Sequence, residues 1–208
     1  WTSDGTDIYF SSYVSSSTGS GYRLYKLSTA DGVVSEMALV SDTGESYSLE
    51  NSSVMGMAAD ETNLYVAQSG SPLKLLRITL QTGTVTSYST SGSSSSWFNS
   101  MEKVGESLFA TSSSSIYEIE LSATTAQVST LNLSGLGSST NIYFDKMTAF
   151  GEDLYLTSSS GNNAIYHVSL EDDMNGTLTG TVTELEPTFT QESYYNTGTQ
   201  APLSWVGG

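Results

Sequence analysis

His167 is the single histidine of the chain, and it is the first residue to test for chemistry because imidazole can exchange a proton near neutral pH. It holds the third place of an Ile-Tyr-His-Val run. The same place in similar runs holds Lys26, Arg77 and Glu118. A position that accepts either charge is typical of a solvent-facing or inter-unit site, so we interpret His167 as structural. With one histidine and no cysteine, the chain has no multi-histidine or thiolate metal site, and no serine triad forms without His167.

An acidic stretch offers a second candidate site, for calcium. Glu171, Asp173 and Asn175 place oxygen-bearing side chains on alternate residues ahead of Gly176, a spacing similar to that of calcium-binding loops. The place of the closing bidentate acid holds Val182 instead. Two interpretations stay open, an acidic hairpin turn and a Ca²⁺ site, and no other cofactor is expected.

Several aromatic residues lie at or near the predicted connections between repeats. Two interpretations stay open. These rings either cover the core, or they form a surface that stacks on sugar rings or binds a protein partner. The candidate binding residues are Tyr88, Trp97, Tyr143, Tyr194 and Tyr195.

The charge balance restricts the partners. With 22 acidic residues against 6 Lys plus Arg, the formal net charge is −16, which repels a phosphate backbone and an anionic membrane surface. The expected partners are a neutral glycan, another protein or further copies of this chain, and no nucleic acid. No apolar run approaches the ~18 residues of a membrane span. The composition, rich in Ser, Thr and Gly and poor in Lys, predicts a secreted bacterial protein found outside the cell or on its surface.

Four copies of one apolar-aromatic pattern organise the chain. We call the first apolar residue of each copy its anchor. The anchors are spaced by 56, 44 and 46 residues and are Ile8, Leu64, Leu108 and Leu154. Two further runs of alternating apolar and polar residues follow each anchor, as half-buried strands require. A period of 40 to 50 residues with four strands per repeat is typical of propeller blades.

The strings Asn63–Val66 and Leu76–Val85 resemble the blade pattern of the NHL, YVTN and quinoprotein-type propellers. The resemblance implies the fold and an extracytoplasmic setting, and it carries over no catalytic residue. We therefore predict one all-β domain, a β-propeller of four four-stranded antiparallel blades. The predicted blade boundaries are approximately residues 1–52, 53–96, 97–141 and 142–202.

A bulky residue stands seven places before each anchor, and we expect these four to pack between blades: Trp1, Met57, Met101 and Met147.

The two ends of the chain continue one pattern. Val54, Phe98 and Phe144 stand ten places before their anchors, and Val206 takes that place if Trp1 follows Gly208. Residues 203–208, with Trp205, Val206, Gly207 and Gly208, are therefore expected to complete the first strand of blade one beside Trp1. The completion can be intramolecular, can come from a neighbouring copy, or can belong to a longer tandem array.

These observations lead to an expected function. The first expectation is a secreted, non-catalytic structural protein that self-assembles into a fibre or surface layer. The alternative is a monomeric propeller that binds a glycan or a protein through its loop aromatics, and a hydrolase or lyase is the third. The chain is thus expected not to be an enzyme.

Overall fold

The structure, a computed structural model, describes residues 1–16, 19–49, 52–70, 72–92, 97–136, 142–158, 164–173 and 177–185. Asn175, Tyr194, Tyr195 and residues 203–208 lie outside these ranges, and so do the predictions made for them. Every regular element in the described ranges is a strand, so the all-β prediction is confirmed. The same ranges contain no helix with the length and apolarity that crossing a membrane requires.

Sixteen of the strands form four antiparallel meanders, which we call units 1 to 4. Unit 1 comprises β1 (Thr2–Ser3), β2 (Asp7–Ser16), β3 (Gly19–Ser28) and β4 (Val34–Glu36). Unit 2 comprises β6 (Val54–Ala59), β7 (Asn63–Gln68), β8 (Lys74–Thr79) and β9 (Thr84–Gly92). Unit 3 comprises β10 (Ser100–Val104), β11 (Ser107–Ser112), β12 (Ser115–Leu121) and β13 (Thr125–Thr130). Unit 4 comprises β15 (Phe144–Phe150), β16 (Asp153–Ser158), β17 (Ile165–Asp172) and β18 (Leu178–Leu185).

The prediction of four separate four-stranded blades is not confirmed, because the hydrogen-bonded sheets number three in the described ranges and contain four, nine and five strands. The segment leaving a unit pairs in parallel with the fourth strand of the next unit. Thus β5 (Val40–Ser41) pairs with β9, the end of β9 pairs with β13, and β14 (Asn132–Ser134) pairs with β18. This pairing satisfies backbone groups at an outer sheet edge that would otherwise face water or another chain.

The segment that leaves a unit passes close to the backbone of the next unit, and glycine permits this close approach at two crossings. Gly92 and Gly135 have φ angles of +97° and +82°, and a Cβ would lie 2.1 Å from the Val128 carbonyl oxygen and 2.3 Å from the Val182 carbonyl oxygen. A residue with a side chain meets both backbone strain and a clash at these two places.

Aspartates fix the turn between the first two strands of units 1 and 2. Asp60 Oδ1 accepts hydrogen bonds from the Thr62 and Asn63 amides at 2.9 and 2.8 Å, and Oδ2 accepts one from the Tyr65 hydroxyl at 3.1 Å. Asp4 makes the equivalent contacts in unit 1. Burial opposes ionisation of Asp60, but these donors together lower the pKa of its carboxyl below the ordinary value. The turn acids of these two units therefore have a structural explanation.

Three buried clusters hold consecutive units together, and each is built in the same way. An aromatic and an aliphatic residue of one unit pack against the anchor of the next: Tyr9 and Leu24 with Leu64, Tyr65 and Leu75 with Leu108, and Phe109 and Ile116 with Leu154. All three anchors are fully buried. The repeat found in the sequence is therefore a repeat of packing, in which each unit buries the face of its neighbour.

Gly135→Ala is expected to destabilise the protein more than Gly105→Ala. Both glycines have positive φ, but a Cβ at Gly105 meets nothing within 4 Å, whereas one at Gly135 meets the Val182 carbonyl. Backbone strain alone costs about 1–2 kcal/mol. The free energy of unfolding, measured by urea denaturation, should fall by at least about 1 kcal/mol more for Gly135→Ala. Equal losses would show that the crossing of β14 over β18 imposes no steric limit.

Candidate functional site

The first strands of all four units line one axial cavity of about 570 Å³. Met57, Met101 and Met147 line its wall, and each also belongs to one of the three inter-unit clusters. The structure thus packs these methionines between units, as predicted. Trp1 also borders the cavity but is 85% exposed, so it does not share their packed environment, because no described residue covers its ring.

Met57, Met101 and Met147 hold equivalent positions in units 2, 3 and 4. The residue before each methionine determines how closely neighbouring first strands approach. A Cβ on Gly56 would lie 3.1 Å from Met101 Cβ, and Ser100 Oγ accepts a hydrogen bond from the Met147 amide at 3.2 Å. Small residues therefore let units 2, 3 and 4 approach closely. The equivalent residue of unit 4 is Lys146, which lines the cavity on the side of unit 1. A long charged side chain at this place does not allow the approach that Gly56 and Ser100 allow.

Glu102 is the acidic residue of this cavity. Its equivalents in the other units are the small residues Thr2, Ala58 and Thr148. Burial raises the pKa of the Glu102 carboxyl to about 7. A carboxyl with this pKa is divided between its neutral and charged forms at neutral pH, and it can therefore donate as well as accept a hydrogen bond.

One amide connects the cavity to the exposed ring of Trp97. Asn99 lines the cavity; its Oδ1 accepts a hydrogen bond from Trp97 Nε1 at 2.8 Å, and its Nδ2 donates to the Phe144 carbonyl at 2.9 Å. Trp97 is 56% exposed and Tyr143, the neighbour of Phe144, is 49% exposed. Trp97 and Tyr143 hold corresponding places of units 3 and 4, and the Trp97 ring is joined to the cavity wall through Asn99.

Tyr88 does not belong to this surface. Its side chain is 5% exposed within the cluster between units 2 and 3, and the Arg77 guanidinium lies 5.7 Å from its ring centroid. Tyr88, predicted as a candidate binding aromatic, lies in the core instead, because the face of its strand that carries the ring packs against unit 3 and not against solvent. The equivalent predictions for Tyr194 and Tyr195 fall outside the described residues.

His167 forms a local pair and is separate from the cavity lining. Its Nε2 lies 2.9 Å from Asp153 Oδ2, and its ring centroid lies 5.0 Å from that of Tyr155. Lys26 Nζ and Asp7 Oδ2 form the corresponding cross-strand pair in unit 1, at 2.5 Å. The recurrence of the pair supports the structural interpretation of His167.

The candidate calcium residues that the structure describes serve a hairpin turn. The amide of Thr177 donates to Asp173 Oδ1 at 2.8 Å, and the hydroxyl of Thr179 donates to the Glu171 carbonyl at 3.0 Å. Within the described ranges, no three His, Asp or Glu side chains are placed to hold a metal ion. Asn175 lies outside those ranges.

A second cavity, of about 670 Å³, lies between units 3 and 4 and is lined by the acids Glu106, Glu118, Glu120, Glu152 and Asp172. Burial raises the pKa of Glu118, and the negative charges of Glu120 and Asp172 add to the effect while Ser107 opposes it.

Sequence reasoning missed Asn99, Glu102 and Lys146 as site residues. A signal for two of them was present, because Glu102 and Lys146 each break a column of small residues in the aligned repeats. The signal for Asn99 is absent from the sequence, since its role depends on hydrogen bonds to Trp97 and to the next unit.

A scan against protein-family models finds no match, and a search of curated proteins finds none either. Solved structures similar to this chain include a glutaminyl cyclase of Myxococcus xanthus (13% identity, TM-score 0.44, 77% of this chain and 64% of that one). They also include the Cps50 (Swd1) β-propeller domain of Myceliophteria thermophila (12%, 0.47, 80% and 53%). A third is the extracellular domain of a putative hybrid two-component system of B. thetaiotaomicron (14%, 0.41, 77% and 24%). This chain spans less than two thirds of the length of each.

A propeller is thus among the structures similar to this chain, as its blade-like repeat predicts, and no specific family is shown. The prediction that the chain is not an enzyme is wrong, because the similar structures include an enzyme, a glutaminyl cyclase. Similarities this remote do not say what the chain binds or does. The extracellular location stays a prediction.

Replacing Glu102 by Gln is expected to change how stability depends on pH. The folded pKa of about 7 lies above the ordinary value of 4.5, so the stabilising effect of the protonated carboxyl is complete below pH 4.5 and is lost as the pH rises through 7. Glu102→Gln cannot ionise and should exceed the parent in free energy of unfolding at pH 8 by on the order of 1–2 kcal/mol. The two proteins should differ little from each other at pH 4.5. Glu61→Gln, at an exposed turn, is the control and should leave the parent's pH profile unchanged. A parallel pH profile for Glu102→Gln would contradict the burial of this carboxyl.

Proposed function

We propose that the four units are propeller blades and that the chain is a binding protein whose axial cavity takes a neutral, hydroxyl-rich ligand of sugar size. The observation that carries the proposal is the convergence of Asn99, Glu102 and Lys146 on one cavity beside the exposed ring of Trp97. Ligand sites typically combine an apolar wall with a few convergent polar groups and a residue of perturbed pKa. Here the methionines supply the wall.

Each polar group offers the ligand a different hydrogen bond. Lys146 donates, Asn99 offers an amide already held by two contacts, and Glu102 donates or accepts according to its protonation. Sugar hydroxyls accept and donate, and sugar rings stack on aromatic faces such as that of Trp97. The net charge of −16 disfavours an anionic ligand, in spite of Lys146. A neutral glycan fits these constraints best.

Trp97→Ala tests the proposal against an aromatic of equal exposure elsewhere. A panel of neutral oligosaccharides is screened first, and binding of the best one is measured by calorimetry. Trp97→Ala should weaken binding about tenfold or more, or ~1.4 kcal/mol. Tyr13→Ala removes a 54% exposed ring of unit 1 that packs edge-on against Tyr22 and not against a residue of the cavity lining, and it should leave binding unchanged. Absence of any glycan binding, or equal effects of the two substitutions, would remove the case.

Self-association into a fibre or surface layer is the second candidate function. It is supported by apolar faces at the two end units: Val33 and Val34 of unit 1 are 55% and 54% exposed, and Phe150 of unit 4 is 79% exposed. Exposed apolar patches that complement each other produce rings or filaments when copies associate head to tail. An extracellular setting would suit either function.

A further inference from the structure

One hairpin of unit 1 is longer than its equivalents in the other units. Ile8 and Leu24 are 16 residues apart, whereas the equivalent pairs of units 2, 3 and 4 are 11, 8 and 11 residues apart. The extra residues lengthen β2 and β3 to ten residues each, against six to eight for the equivalent strands. The hairpin of β2 and β3 therefore projects beyond the repeated part of the unit.

The outer edge of this hairpin has no strand beside it. In units 2 and 4 the third strand pairs with the fourth from its first residue, Lys74 in β8 and Ile165 in β17. In unit 1, β3 begins at Gly19, but its pairing with β4 begins only at Tyr25. Between these two residues, β2 is the one strand that pairs with β3 in the described part of the chain.

The direction of the backbone groups at this edge follows from one hydrogen bond. The Leu24 carbonyl accepts a hydrogen bond from the Met37 amide at 2.9 Å, so the backbone groups of Leu24 point away from β2. Alternate residues of a strand present their N–H and C=O groups to the same side, so those of Ser20 and Tyr22 also point away from β2. Two N–H and two C=O groups therefore face outward, spaced as another strand requires.

This edge is one wall of a third cavity, of about 680 Å³, which shares no lining residue with the axial cavity among the residues that the structure describes. The opposite wall comes from the connection to unit 2, including residues 36–40 and 46–49. The connection is held in place by the pairing of β5 with β9 and by the Tyr47 amide, which donates to the Leu39 carbonyl at 2.9 Å. The cavity is therefore preformed, and its volume is in the usual range of ligand sites.

The cavity offers an apolar wall to an occupant. Tyr22, Met37 and Tyr47 pack against the buried cluster between units 1 and 2, but each stays half-buried. Tyr22 lies on the same face of β3 as the buried Leu24, because side chains two residues apart in a strand share a face. A strand added beside Tyr22 would therefore turn every second side chain toward this wall.

The rim of the cavity is negative. Arg23 Nη1 and Glu36 Oε1 lie 2.5 Å apart and neutralise each other. Asp42 and Glu45 are exposed beside the lining residue Gly44. Together with the net charge of −16, these acids favour a basic occupant over an acidic one.

We propose that this cavity is a peptide-binding groove, in which an extended basic segment of a partner protein adds to the outer edge of β3. Its backbone pairs with Ser20 and Tyr22, and its alternate apolar side chains pack against Met37 and Tyr47. A row of N–H and C=O groups that repeats every ~7 Å matches an extended peptide and not a sugar. The edge is open to such addition, because Ser20, Gly21 and Tyr22 carry neither charge nor proline, the usual protections of an exposed edge. The groove is independent of the ligand proposed for the axial cavity.

Two peptides that each carry one added methyl group test the pairing. The parent probe is a labelled Lys-Val-Lys-Val-Lys-Val-Lys peptide, and fluorescence anisotropy measures its binding at physiological salt, where long-range charge attraction is screened. Methylation of the amide nitrogen of the central valine removes a hydrogen bond to β3 and should weaken binding at least tenfold. The same methyl group on a neighbouring lysine nitrogen, whose N–H points away from β3, should change binding less than twofold. Equal effects, or no saturable binding of the parent peptide, would overturn the proposal.

A matched pair of protein variants tests which edge of the hairpin binds the same probe. Ser20→Pro removes an outward N–H of β3 and keeps the pairing with β2, because proline is tolerated in a strand where its nitrogen faces solvent. Ser15 lies opposite Ser20 on β2, so Ser15→Pro makes the same change on the other edge. Ser20→Pro should weaken binding at least tenfold, and Ser15→Pro should leave it unchanged. The peptide test above needs neither variant to fold.

Two results with these variants would overturn the proposal. The first is loss of binding in Ser15→Pro with full binding in Ser20→Pro. The second is a dimer of the parent protein in sedimentation that Ser20→Pro converts to a monomer, because it would show that a second copy occupies the edge.

Discussion

The structure depends on one constraint: each four-stranded unit has two apolar faces and is stable only when a neighbour covers them. Leu64, Leu108 and Leu154 are fully buried because the preceding unit supplies an aromatic and an aliphatic residue above them. A side chain of this kind contributes roughly 1.5–3 kcal/mol when buried and little when exposed. Sheet pairing alone would leave these faces in water. The parallel pairing of each outgoing segment with the next unit ties the same neighbours together at the outer edge.

The same constraint explains where the candidate site lies. Inter-unit packing brings the first strands together at the axis, and small residues such as Gly56 and Ser100 let them touch. Lys146 replaces the small residue before a methionine and Glu102 replaces the small residue after one, and both line the cavity. A buried carboxyl with a pKa near 7 costs stability at neutral pH, and a chain tolerates that cost most readily where the group has a task. The close packing of the first strands and its two exceptions, Lys146 and Glu102, therefore both locate the candidate site in this cavity.

Much of the fold is predictable from the sequence, because the anchors and their alternating strands specify both the repeat and its buried face. The methionine places are predictable for the same reason. The merging of the sheets is not, since β5 and β14 are two or three residues long and carry no pattern of their own. The burial of Tyr88 is not predictable, because proximity to a connection does not tell which face of a strand a ring occupies. Asn99 acts through its contacts with Trp97 and unit 4, and such long-range hydrogen bonds leave no trace in a single sequence.

The most direct test of the account measures the three anchors side by side. Leu64→Ala, Leu108→Ala and Leu154→Ala should each lower the free energy of unfolding by about 2–5 kcal/mol, because each leaves a cavity in an equivalent, fully buried interface. Leu185→Ala, at a side chain that is 37% exposed, should cost less than about 1 kcal/mol. Losses of similar size at the three anchors would support a repeated interface as the basis of the fold. An anchor whose loss matched that of Leu185 would contradict it.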